Sequence, residues 1–149
     1  MNEFPYNYVL LYAVVSWCAA QIIKTIIHAI QYRTFNPERL FGSGGMPSSH
    51  SALVCAATVS CCRQEGLESA VTAVMFLMAL VVMYDAMGVR RAAGLHAREL
   101  NRLNKIIMEK NSVSEKTKQL KEYIGHTPFE VLGGAVLGII ISLFMPMTI

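Results

Sequence analysis

Long apolar runs limit what this chain can fold into more than any other feature of its sequence. Three of them extend from Tyr8 to Ile30, from Leu67 to Met87 and from Phe129 to Met145. An α-helix needs about 20 apolar residues to cross a hydrocarbon core of about 30 Å. Charged residues make up only 15% of the 149 residues, against about 25% in soluble domains. The sequence therefore predicts an all-α membrane protein.

Two further segments complete the predicted fold. The stretch from Pro47 to about Cys62 reaches only about 20 Å as a helix, so a span there must tilt, extend through Gln64 or lie where the bilayer is thin. Between Leu95 and Lys110, apolar residues recur at helical spacing among charges, which is typical of an amphipathic interfacial helix. We expect a polytopic bundle of about four transmembrane helices plus this interfacial helix, in one domain over residues 1–149.

Basic residues are distributed unevenly between the loops. The segment from Arg90 to Lys121 contains nine lysines and arginines, whereas the loop after the second helix offers only Arg63. Because positively charged loops stay cytoplasmic, the third connection is expected on that face, and four spans place the first connection there too. GGMPSSHS, GVRR and GHTPFE would then share the cytoplasmic side of a membrane, expected to be a bacterial inner membrane.

The segment GGMPSSHS has the composition of an anion-binding turn. Gly44 and Gly45 permit unusual backbone angles. The amides that follow open a helix N-terminus, which is a site for phosphate; they belong to Ser48, Ser49 and His50. We therefore expect a phosphate group to bind here.

GHTPFE and GVRR supply the groups that phosphate chemistry needs. His126 and Glu130 lie four residues apart, so one helical turn lets the carboxylate accept from Nδ1–H and leaves Nε2 available to attack. Arg90 and Arg91 offer bidentate donors that can stabilise the charge on a phosphoryl group. These motifs, although far apart in sequence, are expected to meet at one membrane face.

Two charged residues lie within the apolar runs. Asp85 is costly there unless paired, and a structural ion pair with Lys24 or with one of the two GVRR arginines is the simplest resolution. Lys24 shares a helical face with Gln21 and either contacts the phosphate or extends its ammonium to the interface.

These motifs resemble those of a known superfamily. PSSH is similar to the PSGH motif of the type 2 phosphatidic acid phosphatases, whose superfamily includes the vanadium haloperoxidases, and HTPFE resembles the closing H-x-x-x-D motif with Glu130 in place of the aspartate. GGMPSSHSA, YDAMGVRRAAG and GHTPFEVLGG together resemble its divergent bacterial and plastid branch, over Gly44 to Gly134. The resemblance implies an all-helical fold and metal-independent phosphoester hydrolysis through a phosphohistidine. It makes His126 the nucleophile, His50 the acid for the leaving group and Glu130 the residue that orients His126.

Two features of the superfamily are absent from this sequence. There is no K-x6-RP motif, and LKEYIG precedes His126 where an arginine is normally found. The missing positive charges could come from several residues, namely Arg90, Arg91, Lys24, Arg33 and Arg39. One alternative is therefore a catalytically inactive membrane protein that binds anionic lipid or a protein partner with the same pocket. Another is a small transporter that uses Asp85 and Lys24 as intramembrane charges.

The expected substrate is a lipid phosphate, either a phosphomonoester or a diphosphate, and membrane lipids are the expected partners. The basic segment lies between two spans, so anionic headgroups suit it better than nucleic acid, which we do not expect to bind. The four cysteines show neither a disulfide framework nor a zinc spacing, and neither metal nor cofactor is expected. The sequence leaves a homodimer open.

Overall fold

The computed structural model describes residues 7–33, 45–111, 119–120 and 125–146. Apart from short turns and connections, this described part is helical and has no strands, which confirms the predicted all-α fold. Its helices are α1 (Tyr8–Tyr32), α2 (Ser49–Glu65), α3 (Ala70–Met87), α4 (Val89–Asn111) and α5 (Pro128–Phe144). The predicted contributions of Gly44 and Arg39 lie outside the described residues.

Side-chain caps determine where four of the helices begin. Asn7 caps α1 by accepting from the amide of Leu10 at 3.0 Å, and Ser48, Ser69 and Thr127 cap α2, α3 and α5 in the same way. Each oxygen satisfies one of the amides that the first helical turn leaves without a partner. Helix α2 continues to Glu65, so the short second helix does extend through Gln64.

Helix α4 begins earlier than the apolar spacing predicted, at Val89 instead of Leu95. Only Gly88 separates it from α3. The Gly88 amide donates to the Tyr84 carbonyl at 2.8 Å, and the Ala92 amide donates to the Gly88 carbonyl at 2.9 Å. Because the hydrogen-bond ladder continues through Gly88, the chain passes from α3 into α4 without a loop.

A seam of small residues joins α2 to α5 along parallel paths. A Cβ atom on Gly134 would overlap the Ser48 carbonyl, and one on Gly138 would overlap the Ala52 carbonyl. One turn further, the Ser142 hydroxyl donates to an α2 carbonyl at 3.1 Å. Each step of four residues along α5 thus matches a step of four along α2, and the GxxxG spacing of Gly134 and Gly138 allows this close helix packing.

Helix α2 lies at the centre of the bundle and contacts α1, α3 and α5, while α4 packs only against α3 among the described helices. At one end, Tyr12 donates to the Pro146 carbonyl and Arg63 donates to the Met145 carbonyl at 3.0 Å. The opposite end, called the site end below, holds the end of α1, the start of α2, the α3–α4 junction and the start of α5. The predicted motifs all lie at this end.

The surface and the interior are arranged as in a membrane protein. Large apolar side chains such as Leu77, Val81 and Phe144 are exposed, whereas Ser60 and Ser142 are fully buried. By length and composition, α1 and the stretch Ala70–Met108 can each cross a membrane; α5 is apolar but has only 17 residues. An apolar exterior of this extent is stable only against lipid or another apolar surface.

Candidate functional site

A small polar pocket lies at the site end, where the α3–α4 junction meets the starts of α2 and α5. Its charged and polar lining comes from three residues of three different motifs, His50, Arg90 and His126. Its remaining lining is Val82, Ala86 and Gly125. The enclosed space is about 20 Å³, enough for about one water molecule. The motifs that were predicted to converge therefore do share one volume, although it is nearly closed.

His126 forms the buried side of this pocket, with only 4% of its surface exposed. Its Nδ1 lies 3.2 Å from Oε2 of Glu130. The same carboxylate oxygen accepts from the Thr127 amide at 2.9 Å, while the Thr127 hydroxyl accepts from the Glu130 amide, so the two residues form a capping box. The start of α5 thus holds the carboxylate in place. With Nδ1 directed at Glu130, Nε2 is the nitrogen available for chemistry.

The backbone just before α5 is anchored to the α3–α4 junction. The His126 amide donates to the Ala86 carbonyl at 3.0 Å. Gly125 has a φ of +99°, and a Cβ atom there would overlap the backbone of Arg91. Only glycine satisfies both the conformation and the space. These two contacts place the imidazole of His126 next to the residues that begin α4.

Burial lowers the pKa of His126 below the ordinary histidine value, and the charges of Lys24 and Arg90 lower it further. The hydrogen bond and the negative charge of Glu130 raise it in part, but the net shift is downward. Near neutral pH the imidazole is therefore uncharged. An uncharged ring with a lone pair on Nε2 is the form that a nucleophile requires.

Of the polar residues at the start of α2, two are buried in packing contacts and one lines the pocket. Ser48 caps the helix, its hydroxyl lies 3.1 Å from that of Ser51, and its amide donates to the Glu130 carbonyl at 2.9 Å. Ser49 is buried as well. Neither serine is among the described residues that line the pocket, whereas His50, which is exposed, is one of them. Ser48 is therefore engaged in capping and packing, and both serines are buried away from the pocket.

Lys24 reaches the site end from α1 and is only 4% exposed. Its ammonium donates to Oε1 of Gln21 at 2.9 Å. Gly45 covers its aliphatic chain, because a Cβ atom on this glycine would lie 3.4 Å from Lys24 Cγ, and Gly45 has a φ of +88°. The lysine is close enough to act on the charge of His126. Arg33 lies exposed at the end of α1 with a left-handed φ of 53°.

The two arginines of GVRR have different surroundings. Nε of Arg90 lies 2.6 Å from Oδ2 of Asp85, so Arg90 is the partner of this aspartate. Since the ion pair uses Nε, the two terminal nitrogens of Arg90 remain as donors beside the pocket. Arg91 is exposed, and its described contact is that of its backbone with Gly125. The pocket therefore takes one arginine from this motif.

Comparison with known proteins identifies the family of this chain. The Divergent PAP2 family matches residues 6–141, from before α1 into the last turn of α5. The chain belongs to the Divergent PAP2 family. It is also 38% identical over 152 aligned positions to the uncharacterized membrane protein YuiD of Bacillus subtilis strain 168, with 96% of each chain covered. No solved structure matches the chain. The family suggested by the motifs is thus confirmed, and so is the assignment to a membrane.

The donors that this family member presents to the pocket are suited to an oxyanion. Two histidines and one arginine line a single small volume. Over the described ranges, no group of three His, Cys, Asp or Glu side chains is placed to hold a metal ion.

Three contributors to the site were not singled out from the sequence. Thr127 completes the capping box, and its signal was the T-x-x-E spacing in front of an apolar run. Gly125 is needed for its positive φ, and a glycine directly before a functional histidine was the available clue. The Ala86 carbonyl that binds the His126 amide has no sequence signature.

Proposed function

We propose that this protein is an integral membrane phosphatase that hydrolyses a lipid phosphate through a phosphohistidine intermediate. The observation that supports this most is the buried His126, which has Glu130 on Nδ1 and shares its pocket with His50 and Arg90. This set contains a nucleophile, its orienting carboxylate, a second imidazole for proton transfer and a cation for the phosphoryl oxygens.

The reaction has two balanced steps. Nε2 of His126 attacks phosphorus while the bond to the lipid oxygen breaks, and His50, whose protonated form the anionic phosphate stabilises, gives its proton to that leaving oxygen. Arg90 and Lys24 offset the charge on the phosphoryl oxygens. Neutral His50 then takes a proton from water, whose oxygen attacks the phosphohistidine and releases phosphate, so both histidines return to their starting state.

A neighbouring apolar cavity favours a lipid over a soluble ester. It is a groove open to the surface with a volume of about 530 Å³, lined by apolar and aromatic residues of α3, by Val89 of α4 and by Val131 of α5, together with Asp85. Asp85 pairs with Arg90, which lines the polar pocket, so the two cavities meet at this ion pair. A hydrocarbon chain in the apolar cavity would place its phosphate near His50 and His126.

The space that the pocket offers to a water-sized probe is small, about 20 Å³, so a phosphoryl group that enters it is expected to widen it. Gly88 is the natural hinge, since it alone separates α3 from α4. Rotation there would move Arg90 relative to His50. The positive charge that follows Gly88 supports a cytoplasmic location for this end, in a bacterial inner membrane.

Phosphate release tests the proposal. Purified protein in detergent would be given phospholipid and polyprenyl phosphates without added metal, and His126→Ala should lower release by at least about 10³-fold. His96→Ala is the matched control, because His96 is exposed on α4 and is not among the pocket residues. If folded His126→Ala protein releases phosphate as fast as the unaltered protein, the mechanism is wrong.

An inactive binding protein is the second candidate, and the missing K-x6-RP motif and the narrow pocket favour it. Acid-labile phosphate trapped on the unaltered protein, and absent from His126→Ala protein, would support the enzyme. Lipid phosphate that binds without release and without a covalent intermediate would support the alternative.

A further inference from the structure

Helix α4 extends away from the bundle with a largely uncovered apolar side. It has 23 residues and is therefore about 35 Å long, and among the described helices it packs only against α3. Five large apolar side chains are each between 50% and 54% exposed: Leu95, Leu100, Leu103, Ile106 and Ile107. Their spacing places them along one side of the helix. This side needs an apolar environment that the described chain does not provide.

A basic stripe borders the apolar side. Its members recur at steps of seven, four and three residues and so lie on one flank of the helix: Arg91, Arg98, Arg102 and Lys105. Arg102 approaches Glu99 at 3.8 Å, but both side chains are well exposed and the pair is weak. In all, α4 contains six lysines and arginines against two acidic residues. This combination of positive charge and an apolar side is typical of a helix surface that binds anionic lipid.

The remaining side of α4 holds the chain that leads to His126. The Asn101 side chain donates to the Leu120 carbonyl and accepts from the Leu120 amide, both at 2.9 Å. Nearer the start of α4, Gly125 packs on the backbone of Arg91. The helix therefore contacts the candidate site through Gly125 and holds Leu120, five residues earlier in the chain, through Asn101.

We infer that α4 lies on an anionic lipid surface, with its apolar residues in the headgroup boundary and its basic stripe on lipid phosphates. Only Gly88 separates α4 from a membrane helix, so α4 starts at the membrane surface and has no linker that would carry it away. A second copy of the chain is a poorer occupant, because two helices with this charge would repel each other. Docking would also steady the start of α4, where Arg90 and the Gly125 contact lie. The inference concerns lipid binding and does not depend on phosphatase activity.

Depth-dependent quenching tests this directly. Full-length protein carrying Trp17→Phe and Leu103→Trp would have its only tryptophan on α4. It would be placed in nanodiscs of phosphatidylcholine alone or mixed with phosphatidylglycerol, with bromines either near the headgroup or deep in the acyl chain. Strong quenching by the shallow bromines, greater with phosphatidylglycerol and reduced by salt, is expected.

A charge series identifies the basic stripe as the cause. Changing Arg98, Arg102 and Lys105 together to glutamine should lower the ratio of docked to undocked helix about 100-fold, at about 5-fold per charge. Exchanging lysine and arginine at the same three positions preserves charge and should leave quenching unchanged. Equal quenching in both lipid mixtures, insensitive to salt, would overturn the inference whether or not the glutamine variant folds. The inference would also be overturned if quenching were absent and Leu103→Cys protein formed crosslinks between copies of the chain.

Discussion

Gly133 and Gly134 are neighbours in α5 with different packing, so replacing each by alanine separates helix propensity from helix contact. Either change should gain about 0.5–1 kcal/mol, because alanine favours a helix interior more than glycine does. On Gly133 the new Cβ would lie 3.1 Å from Cε of Met46, the terminal methyl of a side chain that is 50% exposed and can move. Gly133→Ala should therefore be neutral or slightly stabilising.

In Gly134→Ala, the new methyl group would meet backbone atoms and not a side chain that can move away. Its Cβ would overlap the Ser48 carbonyl. Backbone hydrogen bonds hold Ser48 on both sides, because its amide donates to the Glu130 carbonyl at 2.9 Å and its carbonyl accepts from the Ala52 amide at 3.0 Å. Overpacking costs about 1–3 kcal/mol, and a rigid backbone neighbour favours the upper part of that range. We expect the two variants to differ in unfolding free energy by about 2–3 kcal/mol.

Thermal unfolding in detergent, followed with a thiol-reactive dye, measures this difference. Cys55 and Cys61 are buried and become reactive when the bundle opens, while the exposed Cys18 and the half-buried Cys62 contribute a baseline that both variants share. At roughly 3 °C per kcal/mol, Gly134→Ala should melt about 6–9 °C below Gly133→Ala. If the two melt within about 1 °C of each other, α2 and α5 do not approach as closely as the seam requires.

Three predictions concern the chemistry at the pocket. Arg90→Gln should lower kcat for phosphate release at least about 100-fold, whereas Arg91→Gln should change it by less than about 3-fold, since only Arg90 lines the pocket; equal losses would contradict this distinction. Burial lowers the pKa of His126, so activity should persist below pH 6.5 and fall only as the ring is protonated at lower pH. Glu130→Gln removes the negative charge that raises the pKa of His126. The maximal rate should fall, and the acid limb of the pH–rate profile should move to lower pH. A move to higher pH would refute the assignment of this limb to His126.

Several parts of the fold could be predicted because their signals are local. The start of α1 follows from the point where the apolar run begins, and it was placed correctly at Tyr8. The start of α4 was placed six residues late, because the amphipathic pattern is clear only from Leu95 onward, whereas the helix continues through the short residues after Gly88. The approach of His126 to Glu130 was predicted from their spacing, yet the capping box that holds the carboxylate was not.

The sequence by itself determined that this chain builds apolar helices and that its histidine and arginine motifs lie at their ends. Apolar runs and capping residues act within a few turns, so their effect can be read along the chain. The tertiary structure alone decided that Arg90 and not Arg91 faces the pocket, that Asp85 pairs with Arg90, and that Ser48 is committed to packing. These outcomes depend on how one helix is rotated and shifted against another. That arrangement is set by the whole bundle, through contacts such as the seam between α2 and α5.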